Sequence, residues 1–254
     1  MNKTVLVTGG AKGIGRAVVC ALAAQGYHII FTWYRSSQQA EELCAWCLHQ
    51  QNIKGNVQAM QCDLADVGQL EALCSQLERD GNSFYGFVHC AGEKYDTLVA
   101  TLERERIERL MQINFYSFIR LVQALLPRMS LNGSGRIVAI GSVAARQGSR
   151  GNSIYSASKS ALEGFMHSAI HEVARRGITL NVVAPGFIST DMTTSYQDSV
   201  DIKRAIPAQR FGNSEEVAES VAFLLADASA YINGETLVID GGMTRTAHLV
   251  VQRT

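Results

Sequence analysis

Tyr155 and Lys159 stand four residues apart in the segment Ser153-Ile154-Tyr155-Ser156-Ala157-Ser158-Lys159. A helix through this segment puts both side chains on one face, one turn from each other. An ammonium near a phenol favours the phenolate and lowers its pKa from about 10 toward working pH. Tyr155 then suits the donation of a proton to a carbonyl oxygen that is receiving hydride. Tyr-x-x-x-Lys alone is common on helix surfaces. Here it lies 13 residues after Ser142, which ends an apolar strand pattern.

Hydride chemistry needs a nicotinamide dinucleotide, and a second motif offers a place for one. Thr8-Gly9-Gly10-Ala11-Lys12-Gly13-Ile14-Gly15 joins the first strand pattern to an apolar helix. Glycines there permit a tight turn and a close backbone approach to a pyrophosphate on the helix N-terminus. The spacing Gly-x-x-x-Gly-x-Gly differs from the G-x-G-x-x-G fingerprint. Such a loop can also merely connect strand to helix, but its place at the first strand–helix junction favours a cofactor.

The second strand discriminates between cofactors. A NAD site carries an acid about 20 residues beyond the loop, against the ribose 2′-hydroxyl. In Ile29-Ile30-Phe31-Thr32-Trp33-Tyr34-Arg35-Ser36-Ser37 there is no acid, and none follows until Glu41. Arg35 is placed to pair with a 2′-phosphate, with Ser36 beside it and Lys12 joining from the glycine loop. The bland alternative is a solvated surface arginine. NADP(H) is the expected cofactor.

These groups need a frame. The 254 residues are 47% hydrophobic and 18% charged, which fits a folded core. Apolar strand patterns at Thr4–Thr8, His28–Trp33, Asn56–Cys62, Phe84–Cys90, Arg136–Ser142, Thr179–Ala184 and Thr236–Asp240 alternate with helical stretches. Gly15–Gln25 reads as one helix, closed by Gly26; Ser214–Ala226 reads as another, opened by Ser-Glu-Glu. The expectation is a single α/β domain over residues 1–254, a Rossmann-type doubly wound parallel sheet of about seven strands with helices on both faces. Ligands of such sheets sit at the carboxyl ends of the strands.

Lys+Arg and Asp+Glu both number 23, so no global field points to nucleic acid or an anionic membrane. No apolar run is long enough for a membrane span, and the apolar stretch in Met1–Gly10 is too short for a signal peptide. Six scattered cysteines read as reduced thiols, and a cytoplasmic location is expected. Cys44 and Cys47 have C-x-x-C spacing without a second ligand pair, and His167 and His171 lack the glutamate of a zinc helix, so no metal is expected.

Taken in order along the chain, the Thr8–Gly15 loop, Asp63, Ala91-Gly92, Asn114, Ser142, Tyr155, Lys159 and Pro185-Gly186 make the sequence resemble the short-chain dehydrogenase/reductase family. The resemblance implies that Tyr155 is the acid/base and that Lys159 lowers its pKa while holding the nicotinamide ribose. It implies that Ser142 hydrogen-bonds the substrate oxygen and that Asn114 seats a water in a proton relay. Asp63 would contact adenine, and Ile188 and Thr190 the nicotinamide carboxamide. Gly9, Gly13, Ile14, Gly15, Ala91, Gly92, Pro185 and Gly186 would line the cofactor. Where the family commonly has Asn-Asn-Ala-Gly, this chain has His89-Cys90-Ala91-Gly92, with Cys90 read as a packed thiol and His89 given no role.

Within the family, Gly177–Met192, Ala230–Leu237 and Asp240-Gly241-Gly242-Met243 resemble bacterial 3-oxoacyl-(acyl-carrier-protein) reductases. That implies a 3-oxoacyl thioester on acyl carrier protein as substrate, a homotetramer built through the Leu102–Met129 and Ile154–Arg176 helices, and a mobile substrate loop over 187–208. Arg176, with Arg128 as the nearest second cation, would dock the acidic carrier. Thr244–Thr254 read as an extra C-terminal tail. The alternatives are a dehydrogenase or reductase of a small secondary alcohol or ketone, and a non-catalytic dinucleotide sensor.

Overall fold

The computed structural model describes residues 3–51, 53–79 and 84–245. Within them the sheet is formed by β1 (Thr4–Thr8), β2 (His28–Trp33), β3 (Val57–Gln61), β4 (Phe84–His89), β5 (Gly135–Ile140), β6 (Ile178–Pro185) and β7 (Thr236–Ile239). Its order is β3-β2-β1-β4-β5-β6-β7, and every pairing is parallel. The chain runs outward through β2 and β3, then returns to the far side of β1 with β4. That reversal between β1 and β4 is the switch point where such sheets open a ligand crevice.

Alternation along the strands builds two cores. Val5, Val7, Ile29 and Phe31 face one side; Leu6, Ile30, Phe87 and Ile137 face the other. The first side is covered by α1 (Gly13–Ala24), α2 (Ser37–His49) and α9 (Ser214–Leu225). The second is covered by α3 (Val67–Arg79), α5 (Ser117–Asn132) and α7 (Ser153–Val173). Both faces of β4, β5 and β6 are buried along their whole length. This explains why those strands read as unbroken apolar runs.

The remaining helices are α4 (Arg104–Met111), the short α6 (Ala144–Gln147) and α8 (Val200–Ala205). The expected Leu102–Met129 helix is divided by a π turn at Gln112–Tyr116, which separates α4 from α5. The cap of α9 is Asn213, one residue before the expected Ser214: its side chain accepts from Glu216 N at 3.1 Å, and Glu216 accepts from Asn213 N at 2.9 Å. β5 ends at Ile140, so Ser142 lies in the loop beyond the strand instead of closing it. The 187–208 segment holds a 3-10 turn (Asp191–Tyr196) and α8. The tail beyond Arg245 lies outside the described residues.

Candidate active site

The glycine loop leaves β1 with Gly9 at a φ of 66°. A Cβ on Gly15 would stand 2.1 Å from the Gly9 carbonyl oxygen, and one on Gly9 would stand 2.9 Å from the Ala91 Cα. The turn therefore closes onto itself and onto the β4 loop, leaving a backbone cradle at the N-terminus of α1. Such a cradle fits a dinucleotide pyrophosphate. Thr8, fully buried, accepts from Ala91 N at 3.3 Å and locks the two loops together.

Around this cradle the structure sorts the expected residues. Asp63 follows β3, accepts from Ala65 N at 2.9 Å and lies 3.8 Å from Arg109. Arg35 is exposed at the end of β2, stacked on the Tyr34 ring at 4.8 Å. Lys12 pairs with Asp191 at 3.8 Å and shares a small cleft with Arg16 and Gln39. Arg16, in the first turn of α1, escaped the sequence reading, although its place directly after Gly15 is the signal that marks it. Gly186 N donates to Ile239 O at 2.9 Å, and Ile188 is buried beside the cavity. The Thr190 methyl would lie 3.4 Å from a Cβ on Gly13, so the two cofactor loops face each other.

Beyond the cradle opens a cavity of about 560 Å³, whose lining includes Cys90, Ser142, Tyr155, Lys159, Ile188 and Thr190. Ser142 and Tyr155 face the same cavity, and Ser142 favours the ionised phenol. Burial nevertheless holds that phenol above its ordinary pKa, outweighing Ser142 and the charge of Lys94. The expected lowering by Lys159 is thus not seen in the protein alone. The Lys159 ammonium instead donates to Ile140 O at 2.8 Å and lies 5.8 Å from the Tyr155 ring centre. Burial lowers the pKa of Lys159 to about 8.

Asn114 is wholly buried inside the π turn. Its Oδ1 accepts from Glu93 N at 2.8 Å; its Nδ2 donates to Glu93 O and Ser158 Oγ, both at 3.0 Å. Asn114 Oδ1 and Lys159 Nζ approach the same point, 3.6 and 3.4 Å from a Cβ placed on Gly92. Glu93 and Ser158 were missing from the sequence reading. A backbone clasp and a helix serine leave no type or spacing signal.

His89 replaces the family's asparagine with a neutral ring. Burial and then the Lys159 charge push its pKa down to about 3. Nδ1 is 2.9 Å from Thr8 Oγ1, so the ring joins the β1–β4 lock. Burial also raises the Cys90 thiol to about 12, which keeps it in the thiol form at the cavity wall. His167 and His171 are exposed on α7. Arg176 is exposed in the 3-10 turn after α7, whereas the Arg128 guanidinium donates to the Glu78 carbonyl.

A parallel sheet with a glycine cradle at its switch point and a Ser–Tyr–Lys group beside it defines a dinucleotide-dependent oxidoreductase scaffold. A family model described as enoyl-(acyl carrier protein) reductase matches residues 9–244, and the chain belongs to this family of short-chain dehydrogenases/reductases. It is 37% identical over 244 residues to the 3-oxoacyl-[acyl-carrier-protein] reductase FabG of Escherichia coli (strain K12), covering 95% of this chain and 97% of that protein. The FabG of Staphylococcus aureus (strain Mu50) is 33% identical over 246 residues, covering 96% and 98%. A Beutenbergia cavernae structure described as an NAD(P)-dependent gluconate 5-dehydrogenase, with bound NADP at low occupancy, superposes with a TM-score of 0.88. It is 29% identical and is covered to 97%, against 96% of this chain.

Proposed function

We propose that the protein reduces 3-oxoacyl thioesters on acyl carrier protein to 3-hydroxyacyl thioesters, using NADPH, in fatty-acid or polyketide/polyene synthesis. The observation that carries this reading is that Ser142, Tyr155 and Lys159 line one cavity, beside a glycine cradle that fits a dinucleotide. The full-length likeness to 3-oxoacyl-[acyl-carrier-protein] reductases supports the substrate class.

Bound NADPH supplies the hydride. The Gly9–Gly15 turn would hold the pyrophosphate, and Arg35 with Ser36 would meet the 2′-phosphate. Asp63 would contact the adenine, while Ile188, Thr190 and Lys159 would hold the nicotinamide end. Ser142 and Tyr155 donate hydrogen bonds to the carbonyl oxygen, and the phenol gives its proton as negative charge develops there. A raised pKa keeps Tyr155 protonated until that moment. Lys159, with a pKa of about 8, would return a proton toward the phenol, and Asn114, which approaches the same point beside Gly92, would seat a water in that relay.

The six cysteines are free thiols, which supports a cytoplasmic setting. Among the described residues no helix is long and apolar enough to cross a membrane. Tyr116, exposed in the Leu102–Met129 segment, supports assembly of a homotetramer through that segment. Arg176 is the stronger candidate for carrier docking, because Arg128 is engaged by Glu78.

The deciding experiment is steady-state NADPH oxidation with 3-oxoacyl thioesters, 2-enoyl thioesters and free ketones. Preference for the 3-oxoacyl thioesters is expected. Faster turnover of a free ketone would instead favour the small-alcohol or ketone reading, and no turnover at all the sensor.

A further inference from the structure

The loop after β4 lines the cavity through Cys90, Gly92, Lys94 and Asp96 and is tied to two other segments. Thr97 N donates to Gly151 O at 2.8 Å, joining the loop to the segment that leads into α7. Directly before it in the chain, Lys94 and Asp96 reach Tyr196, about 100 residues away in sequence, in the 3-10 turn after β6. Lys94 Nζ pairs with Asp96 Oδ2 at 2.6 Å and is half-buried. The Tyr196 hydroxyl lies 3.4 Å from Lys94 Nζ and 3.4 Å from Asp96 Oδ2. The ammonium also stands 4.9 Å from the centre of the Tyr196 ring, within range of a cation–π contact. Behind that ring is Phe187, edge-on at 6.2 Å, itself stacked on Phe211 at 5.2 Å.

Lys94, Asp96 and Tyr196 all line the cavity with Ser142 and Tyr155. Burial opposes the charge on Lys94, but Asp96 and Tyr196 more than offset it, and the ammonium stays protonated above its ordinary pKa. The side chain is therefore a cation held by Asp96 of its own loop and by Tyr196 of the turn after β6. Its charge also acts on the Tyr155 phenol, against the burial that raises that pKa.

We propose that Lys94 and Asp96 latch Tyr196, holding the Asp191–Tyr196 turn closed over the substrate, so that Lys94 is a positioning residue for the 3-oxoacyl chain. The substrate named rests on the function proposed above. A closed turn shields the carbonyl from water and restrains the acyl chain next to Tyr155. Releasing it weakens substrate binding more than the chemical step.

The test uses Lys94→Met, Tyr196→Phe and their double variant, with Lys94→Arg as the conservative control. Each lost contact is worth about 1 kcal/mol, so Lys94→Met should raise the substrate KM about fivefold and lower kcat by less. NADPH affinity, followed by its fluorescence, should hold and will show that the variants are folded. The double variant should resemble Lys94→Met, because one latch cannot be released twice. Lys94→Arg should recover most of the affinity. Trypsin cleavage after Arg204, in the adjoining α8, should speed up in both single variants with no substrate present. Additive KM effects, or unchanged KM and unchanged cleavage, would overturn the latch. If the wild type ignores 3-oxoacyl thioesters but the variants are cut faster, the latch stands and the substrate assignment falls.

Discussion

Lys159 donates to the Ile140 carbonyl at 2.8 Å, so the buried cation of the site is anchored to the end of β5 and not to the tyrosine one turn before it. The lysine thereby sits between strand and cradle, facing Gly92 and Asn114. Its charge is costly there, and that cost brings its pKa into the working range.

The pH profile should show this. Above a pH of about 8 the Lys159 amine is mainly neutral and has no proton to pass toward Tyr155. Carbonyl reduction, read as kcat/KM for NADPH so that the free enzyme is reported, should decline on an alkaline limb near that value. Alcohol oxidation should rise through the same range. A reduction profile flat to about pH 9.5 would remove Lys159 from the relay.

Tyr155→Phe keeps the ring and removes the transferable proton. Turnover should fall by about 10²-fold or more, while NADPH still binds. Near wild-type turnover would exclude Tyr155 as the acid.

Cofactor choice is tested through Arg35. A charge-assisted bond to the 2′-phosphate contributes about 1.5–3 kcal/mol, so NADPH should exceed NADH by about tenfold or more in kcat/KM. Arg35→Ala should erode most of that preference. The cleft shared by Lys12 and Arg16 predicts that Arg16→Ala removes part of what remains. Equal use of both cofactors by the wild type would refute the assignment.

Carrier docking is tested with salt. Exposed charges are screened over about 8–10 Å at physiological ionic strength. Activity on a carrier-protein thioester should therefore fall as salt rises, while a pantetheine analogue is barely affected. Arg176→Ala should weaken the first, mainly through association rate, and spare the second. Equal losses on both substrates would leave the carrier assignment without electrostatic support.

Much of this architecture was legible in the chain. Strands buried on both faces must be apolar throughout, so β4, β5 and β6 announced themselves, and each strand lies within a few residues of its expected range. The glycine turn was legible for a related reason: only glycine tolerates the approach of residue 15 to the Gly9 carbonyl. Tyr155 and Lys159 were readable because helical spacing fixes their common face.

Local periodicity determined these features, and it could do so because each depends on residues close in sequence. The direction of the Tyr155 pKa was decided by depth in the fold, which outweighs any neighbour one turn away. The π turn that buries Asn114 and the clasp on Glu93 arose only when α4, α5 and the β4 loop packed together. Lys94 and Tyr196 are two unremarkable residues until the sheet brings the ends of β4 and β6 to the same cavity. Contacts between distant segments carry no period, so burial and long-range partners had to come from the tertiary structure.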